Sequence, residues 1–185
     1  AGIALHGCDE EEHHDEAGHH HETDAHMWLS PECAKVMAEN ICAGLTEAYP
    51  ACEEIFAENL TALVEKLDAL QAYGQQQLGD LTTRELITFH DGFGYFAESF
   101  DLSILKAMEE ESGSEASAQE LVELMELVRQ YQLPAVFTET NGSVSAADIV
   151  AAETGIGVYS LDMAMSDKGY FEAMYHNIDT LKEAL

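Results

Sequence analysis

Basic residues are scarce in this sequence. Seven Lys and Arg stand against 36 Asp and Glu, which gives a formal net charge of −29 over 185 residues. This balance argues against nucleic acid as a partner, because no basic patch is available to neutralise phosphates. It argues equally against an anionic membrane surface. An acidic surface of this kind favours solubility and attracts cations.

Long hydrophobic runs are also missing. No apolar run reaches the roughly 18–20 residues of a membrane helix, so we expect no membrane span in this chain. The segment from Ala1 to Cys8 has no basic region and no long apolar core. It is not an intact signal peptide, and we expect that a leader has been removed or that the chain was cut further in. Hydrophobic residues make up 46% of the chain, enough for a sizeable core.

Cysteine is confined to the first third of the chain, at Cys8, Cys33, Cys42 and Cys52. No CxxC spacing occurs, which argues against a thiolate zinc knuckle. Cys33 and Cys42 lie on one predicted helix, too far apart along its axis to bridge. A disulfide between Cys42 and Cys52, across the helix break at Pro50, remains a candidate.

A tract rich in histidine and acidic residues occupies positions 10–22. Such a tract cannot bury apolar area, so residues 1–25 are predicted to form a mobile loop. Histidine-rich tracts either bind metal or are affinity tags. The irregular mixing with carboxylates argues against a tag.

Two helices are predicted next. Ser30, Pro31 and Glu32 are typical of a helix start, and Pro50 ends this helix. Its expected buried stripe consists of Val36, Met37, Ile41 and Leu45. A longer helix follows from Ala51 to about Gln77. Its apolar positions recur every three or four residues, at Phe56, Leu60, Leu63, Leu67 and Leu70.

From Glu85 onward, short apolar runs alternate with helical patterns. The predicted strands cover residues 86–89, 102–105, 135–138 and 157–161. The predicted helices cover residues 93–100, 114–131, 143–154 and 169–185. Alternation of this kind predicts βαβ units and a parallel sheet with both faces covered, an α/β fold.

Polar residues follow three of the predicted strands. His90 and Asp91 follow the first strand, Glu139 follows the third and Asp162 follows the fourth. Ligands of open parallel sheets bind outside the carboxyl ends of the strands. A His and an Asp converging there are a plausible part of a metal site. The alternative is ordinary strand-end polarity, with the Asp capping a helix and His90 hydrogen-bonded in a groove.

His26 lies just before the first predicted helix. The apolar residues Met27, Trp28 and Leu29 would anchor it, which favours a fixed ligand over one more loop histidine. No enzyme constellation is evident, because the sequence has no GxSxG, no HExxH and no phosphate-binding glycine loop. We therefore expect no enzyme activity.

Several segments together resemble one family. Residues 26–31 are similar to an HxWLSP ligand motif, residues 88–96 to FHDAFGYF, and residues 136–139 to an IFxE strand. Residues 147–155, the pair Leu161-Asp162 and residues 170–177 also resemble segments of the same family, in the same order. The family is that of the metal-binding solute receptors of bacterial ABC importers, the ZnuA-like or cluster A-I group.

The resemblance implies a fold of two α/β lobes joined by a long helix, with metal held in the cleft. It divides the chain into a His-rich loop (1–25), a remnant of the N-terminal lobe with the first ligand motif (26–50), the connecting helix (51–80) and a C-terminal lobe (81–185). That lobe is expected to hold a four-stranded, mostly parallel sheet flanked by helices.

The resemblance also implies the ligands: His26, His90 and Asp162. Manganese-type relatives usually have Glu at the position of His90, so histidine indicates Zn²⁺, and the softness of imidazole agrees. The family usually has Pro where Ala25 and Met163 stand, which implies less rigid ligand loops. Most of an N-terminal lobe carrying a further histidine ligand is expected to be missing. Closed tetrahedral zinc takes four ligands, so water, a loop histidine or another chain would supply the fourth.

The function implied is that of an extracytoplasmic, high-affinity zinc-binding component of a metal ABC transporter. Such a protein captures Zn²⁺ in the periplasm, or as a cell-surface lipoprotein, and delivers it to a membrane permease. The alternatives are a manganese or iron receptor of the same family, a zinc-dependent hydrolase using a metal-bound water, and a metal-storage module based on the His-rich tract.

Overall fold

The computed structural model describes residues 2–3, 24–108 and 116–185. The expected mobile loop therefore lies almost wholly outside the described residues, as do Cys8 and the expected helix start at Ser114. Among the helices of the described part, none combines the length and the apolar character needed to cross a bilayer.

Six helices and four strands make up the described structure, together with two short 3₁₀ turns at Met27–Leu29 and Pro50–Cys52. The helices are α1 (Pro31–Ala48), α2 (Glu53–Leu78), α3 (Gly94–Ser99), α4 (Ala118–Tyr131), α5 (Ser145–Thr154) and α6 (Tyr170–Ala184). The strands are β1 (Glu85–Thr88), β2 (Ser103–Ala107), β3 (Ala135–Glu139) and β4 (Gly157–Leu161).

The four strands form one sheet in the order β2-β1-β3-β4. Every neighbouring pair is parallel. The chain moves outward in one direction from β1 to β2 and in the other direction from β3 to β4. The strand order therefore reverses between β1 and β3, and a crevice for ligands is expected at such a reversal. The predicted α/β class and parallel sheet are confirmed.

Helices cover both faces of the sheet because successive side chains of each strand point to opposite sides. Leu86 of β1 and Phe137 of β3 pack with α2, α3 and α6 in one apolar cluster. Ile87 of β1 and Val136 of β3 pack with α4 and α5 in another. These two clusters hold the strand ends in a fixed position, and the strand ends carry the candidate site.

The start of α1 matches the sequence pattern. Ser30 caps the helix, since its Oγ accepts a hydrogen bond from the backbone N–H of Cys33 at 3.3 Å, and Pro31 is the first helical residue. The capping satisfies one of the N–H groups that a helix start leaves unpaired.

The expected burial of the α1 stripe is wrong within the described residues. Ile41 is 59% exposed and Leu45 is 39% exposed. Both line an open groove between α1 and α2, together with Phe56 and Leu60. Helical periodicity identifies an apolar face, but it does not provide the element that would cover it. The second half of α2 is covered, and Leu70 there is fully buried.

The candidate disulfide between Cys42 and Cys52 is also wrong, because both thiols are free. Cys42 lies six residues before the end of α1, about 9 Å along the helix axis. It faces Phe56 and Asn59 of α2 across the groove, whereas Cys52 lies in the turn before α2.

Two identical substitutions test this division between covered and open parts of the helices. Leu70→Ala should lower the free energy of unfolding by about 2–5 kcal/mol, because the deleted atoms are fully buried. Leu45→Ala deletes the same atoms from a partly exposed position and should cost less than about 1 kcal/mol. Urea unfolding measures both values, and equal losses would contradict the described packing.

Candidate metal site

His90 lies where the strand order reverses. It follows the end of β1 by two residues, and Glu139 is the last residue of the neighbouring strand β3. Nδ1 of His90 is 3.5 Å from Oε2 of Glu139, and the two side chains are 27% and 33% exposed. The parallel register thus brings together two polar residues that are far apart in the sequence.

His26 reaches the same edge from a distant part of the chain. The 3₁₀ turn that follows it is anchored by Leu29, which is fully buried, and by Trp28, which packs against the same core cluster. The hydroxyl of Ser99 on α3 donates to Oγ of Ser30 at 2.8 Å. The predicted apolar anchoring of His26 is present.

The two histidines face each other. Their Nε2 atoms are 3.5 Å apart, and the ring centroids are 5.2 Å apart with the planes at 83°. Two nitrogens that each lie 2.0–2.1 Å from a tetrahedral zinc ion are about 3.3–3.4 Å apart. The described spacing therefore fits one zinc ion shared by both rings after a shift of a few tenths of an ångström.

Asp162 lies directly after β4 and is only 2% exposed. Its Oδ1 accepts a hydrogen bond from the backbone N–H of Ala164 at 2.8 Å. Its Oδ2 is buried and has no hydrogen-bond partner within the described part of the chain. A buried carboxylate oxygen is costly unless a donor or a cation compensates it, so this atom is a plausible metal ligand.

The backbone of Asp162 is held by Asn177 of α6, which is fully buried. The N–H of Asp162 donates to Oδ1 of Asn177, and Nδ2 of Asn177 donates to the Asp162 carbonyl, both at 2.7 Å. One amide side chain thereby satisfies both backbone groups and fixes the direction in which the Asp162 side chain leaves the strand.

Hydrogen bonds join the loop of His26 to the loop after β4. Nε1 of Trp28 donates to the carbonyl of Met163 at 2.8 Å, and the hydroxyl of Tyr170 donates to the carbonyl of Trp28 at 2.9 Å. Burial raises the pKa of Tyr170, which keeps this phenol protonated as a donor. The two loops are therefore held side by side.

Gly92 leaves room for the side chains of His90 and Met163. A Cβ there would lie 2.8 Å from Nε2 of His90 and 2.7 Å from Cε of Met163. Any larger residue would displace the imidazole or the Met163 side chain.

The described structure does not by itself assemble the full set of ligands. Across residues 2–3, 24–108 and 116–185, no three His, Cys, Asp or Glu side chains are grouped closely enough to hold a metal ion. His26 and His90 are together, and Asp162 lies in a loop that is hydrogen-bonded to the segment of His26. The ligand set of His26, His90 and Asp162 stays a prediction.

The sequence patterns alone did not assign roles to Asp24 and Asn177. Asp24 lies two residues before His26, and its Oδ1 is 2.8 Å from Nδ1 of His26. Asn177 belongs to the last motif of the family resemblance, but only the folded α6 shows that it contacts Asp162. Spacing of two residues from a candidate ligand was the available signal for Asp24.

Comparison with known proteins gives the family. The sequence model described as zinc-uptake complex component A, periplasmic (ZnuA), matches residues 1–184. The chain therefore belongs to the ZnuA family of solute-binding receptors. A crystal structure of ZnuA shares the fold of this chain.

Individual relatives support the same family assignment. The zinc-binding lipoprotein AdcA of Streptococcus pneumoniae serotype 4 is 32% identical over 192 residues, which cover 98% of this chain and 38% of AdcA. A putative metal-binding protein of Treponema pallidum is 29% identical and is covered to 55%. A crystal structure of ZnuA superposes with a TM-score of 0.78 and 33% identity over 87% of this chain and 60% of that one. The chain spans roughly a third to a half of the length of these curated relatives.

Asn177→Ala tests the clamp on Asp162, which is the pair of hydrogen bonds between the Asn177 amide and the Asp162 backbone. Loss of the amide leaves two buried backbone groups without partners, so the free energy of unfolding should fall by about 2–4 kcal/mol. Asn40→Ala, on the exposed surface of α1, is the matched control and should change stability by less than about 0.5 kcal/mol. Denaturant unfolding measures both, and a loss at Asn177 no larger than at Asn40 would contradict the role of the clamp.

Proposed function

We propose that this chain is part of an extracytoplasmic zinc receptor that captures Zn²⁺ for a metal ABC transporter. The observation that carries the proposal is the pair of imidazoles of His26 and His90, whose Nε2 atoms face each other at 3.5 Å. Capture rather than catalysis is the role, and the membrane permease of the importer is the proposed partner.

The donor set supports zinc. Imidazole nitrogen suits zinc better than it suits manganese, which prefers carboxylate, carbonyl and water oxygens. The relative AdcA is described as a zinc-binding lipoprotein, and the family as a periplasmic component of zinc uptake. A zinc-bound variant of AdcAII from Streptococcus pneumoniae has the same fold, with a TM-score of 0.76 and 29% identity. We extend these properties to this chain.

Asp162 is proposed as the third ligand from this chain. Its buried Oδ2 has no partner in the described residues, and its loop is tied to the His26 loop through Trp28 and Met163. The Asp162 carboxylate would offset part of the positive charge of the zinc ion, which two neutral imidazoles cannot do. Binding of zinc by all three residues would need a small movement of this loop toward the histidines, and the ion would stabilise that closed arrangement.

The central test is the zinc content and zinc affinity of the purified protein. The wild type should hold one tightly bound zinc ion. His90→Ala should weaken zinc binding by more than about 100-fold, beyond the range typical of residues that only support a ligand. His176→Ala, which removes an imidazole from α6 instead, should leave the affinity unchanged.

Competition with a fluorescent zinc chelator measures these affinities. Deleting residues 10–22 separates the folded site from the His-rich tract. If the deletion removes nearly all zinc binding while His90→Ala removes none, the proposed site is wrong and the tract is the binding element.

Metal preference is tested by calorimetry with Zn²⁺ and Mn²⁺ in competition. A site built from two imidazoles and one carboxylate should bind zinc more tightly than manganese, in line with the usual order of divalent metal affinities. Tighter binding of Mn²⁺ would instead identify the protein as a manganese receptor.

A further inference from the structure

We infer that Asp24 and Glu139 are positioning residues, which hold the Nδ1 sides of His26 and His90 so that both Nε2 atoms point at the captured ion. The inference rests on the proposed zinc site and adds the two carboxylates that orient its imidazoles. Neither carboxylate is assigned as a metal ligand.

Asp24 is built into the loop that carries His26. Its Oδ1 accepts a hydrogen bond from the backbone N–H of His26 at 2.8 Å and lies 2.8 Å from Nδ1 of the same residue. The Asp24 side chain is only 9% exposed. A single carboxylate oxygen therefore fixes both the backbone and the ring of His26.

The second oxygen of Asp24 reaches the segment that follows His90. A Cβ on Gly94 would lie 3.2 Å from Oδ2 of Asp24, closer than most side-chain contacts. The absence of a side chain at position 94 thus allows Asp24 to lie against the start of α3. Through this contact, one carboxylate borders both of the segments that supply an imidazole.

Glu139 is placed similarly beside His90. Its Oε2 is 3.5 Å from Nδ1 of His90, across the boundary between β1 and β3. The carboxylate is 33% exposed and the separation is longer than a normal hydrogen bond. We therefore expect Glu139 to orient its imidazole less strongly than Asp24 orients His26.

The arrangement has a chemical consequence for the rings. A carboxylate accepts only, so an imidazole that faces it with Nδ1 places its proton there, and the lone pair is then on Nε2. With both rings in this tautomer, two lone pairs face each other at 3.5 Å. Such a pair of lone pairs is repulsive alone and attractive to a cation. The carboxylates thus orient both rings so that Nε2 is the nitrogen presented to a metal ion.

The experiment measures zinc affinity for Asp24→Ala, Asp24→Asn and Glu139→Ala at a fixed pH near 7.5. Asp148→Ala, at an exposed position on α5, is the control. It removes the same charge from this acidic protein, so it corrects for the general loss of attraction to cations. Unfolding curves of the metal-free variants show whether each one folds.

Asp24→Ala should weaken zinc binding by about 10–100-fold relative to Asp148→Ala, the range typical of such supporting residues. Asp24→Asn should restore a part of this loss, because its amide oxygen still accepts a hydrogen bond from Nδ1–H. Glu139→Ala should have a smaller effect than Asp24→Ala.

A spectroscopic measurement separates orientation from a merely structural role. In ¹⁵N NMR of the metal-free protein, His26 should carry its proton on Nδ1 in the wild type and in Asp24→Asn. In Asp24→Ala the proton should move to Nε2, the nitrogen that a solvated imidazole prefers to protonate. This readout does not depend on bound zinc.

The inference is overturned if folded Asp24→Ala binds zinc within about threefold of Asp148→Ala, or if its His26 keeps the wild-type tautomer. Failure of the proposed function would look different. In that case the wild type would bind no zinc, or His90→Ala would bind as tightly as the wild type, whatever the behaviour of Asp24.

Discussion

Parallel strands present their carboxyl ends at a single edge of the sheet, and the candidate site depends on that constraint. β1, β3 and β4 are hydrogen-bonded neighbours. The residues that follow or end them, His90, Glu139 and Asp162, therefore lie along the same edge although more than 70 positions separate the first from the last. The packed helices on both faces keep the strands in register. The positions of these three residues therefore depend on the packing of the whole core.

His26 is not on a strand, and a different set of interactions brings it to the edge. Leu29 is buried in the core, while Trp28 and Tyr170 form hydrogen bonds that join the His26 segment to the loop after β4. The ligand candidates thus sit on loops, but each loop is bound to rigid elements. Such support limits how far the imidazoles can drift before an ion arrives.

Negative charge affects cations both at long range and at the candidate site. The net charge of −29 raises the local concentration of cations around the whole protein. At the site, only a few carboxylates matter, and the important ones are partly or wholly buried. Asp162 has one buried oxygen without a partner among the described residues, which destabilises the fold, and binding of a cation there would remove this cost. If Asp162 binds the ion as proposed, zinc binding stabilises the fold.

Most of the C-terminal α/β region could be predicted from the sequence. The apolar runs of the strands are short and bounded by helical patterns, so β1, β3 and β4 were located to within one residue. The exposure of Ile41 and Leu45 could not be predicted, because periodicity reveals an apolar face and not its cover. The predicted Cys42–Cys52 disulfide was wrong for a similar reason. The spacing of two cysteines in the sequence does not predict how far apart they lie once the two helices have packed.

The candidate site could be predicted only in part. Strand ends pointed to His90 and Asp162, and the family resemblance added His26. The contact between Asp24 and His26 depends on how one loop folds back on itself, and the clamp by Asn177 depends on the packing of α6 against β4. These contacts arise from tertiary structure, where no periodic pattern identifies them.

We propose that His26 and His90 hold one zinc ion between their Nε2 atoms. An anomalous difference map, recorded at the zinc edge from crystals grown with one equivalent of zinc, tests it most directly. We expect one dominant peak about 2.0–2.1 Å from both Nε2 atoms, with a carboxylate oxygen of Asp162 at a similar distance. A dominant peak elsewhere, with both histidines unbound, would contradict it.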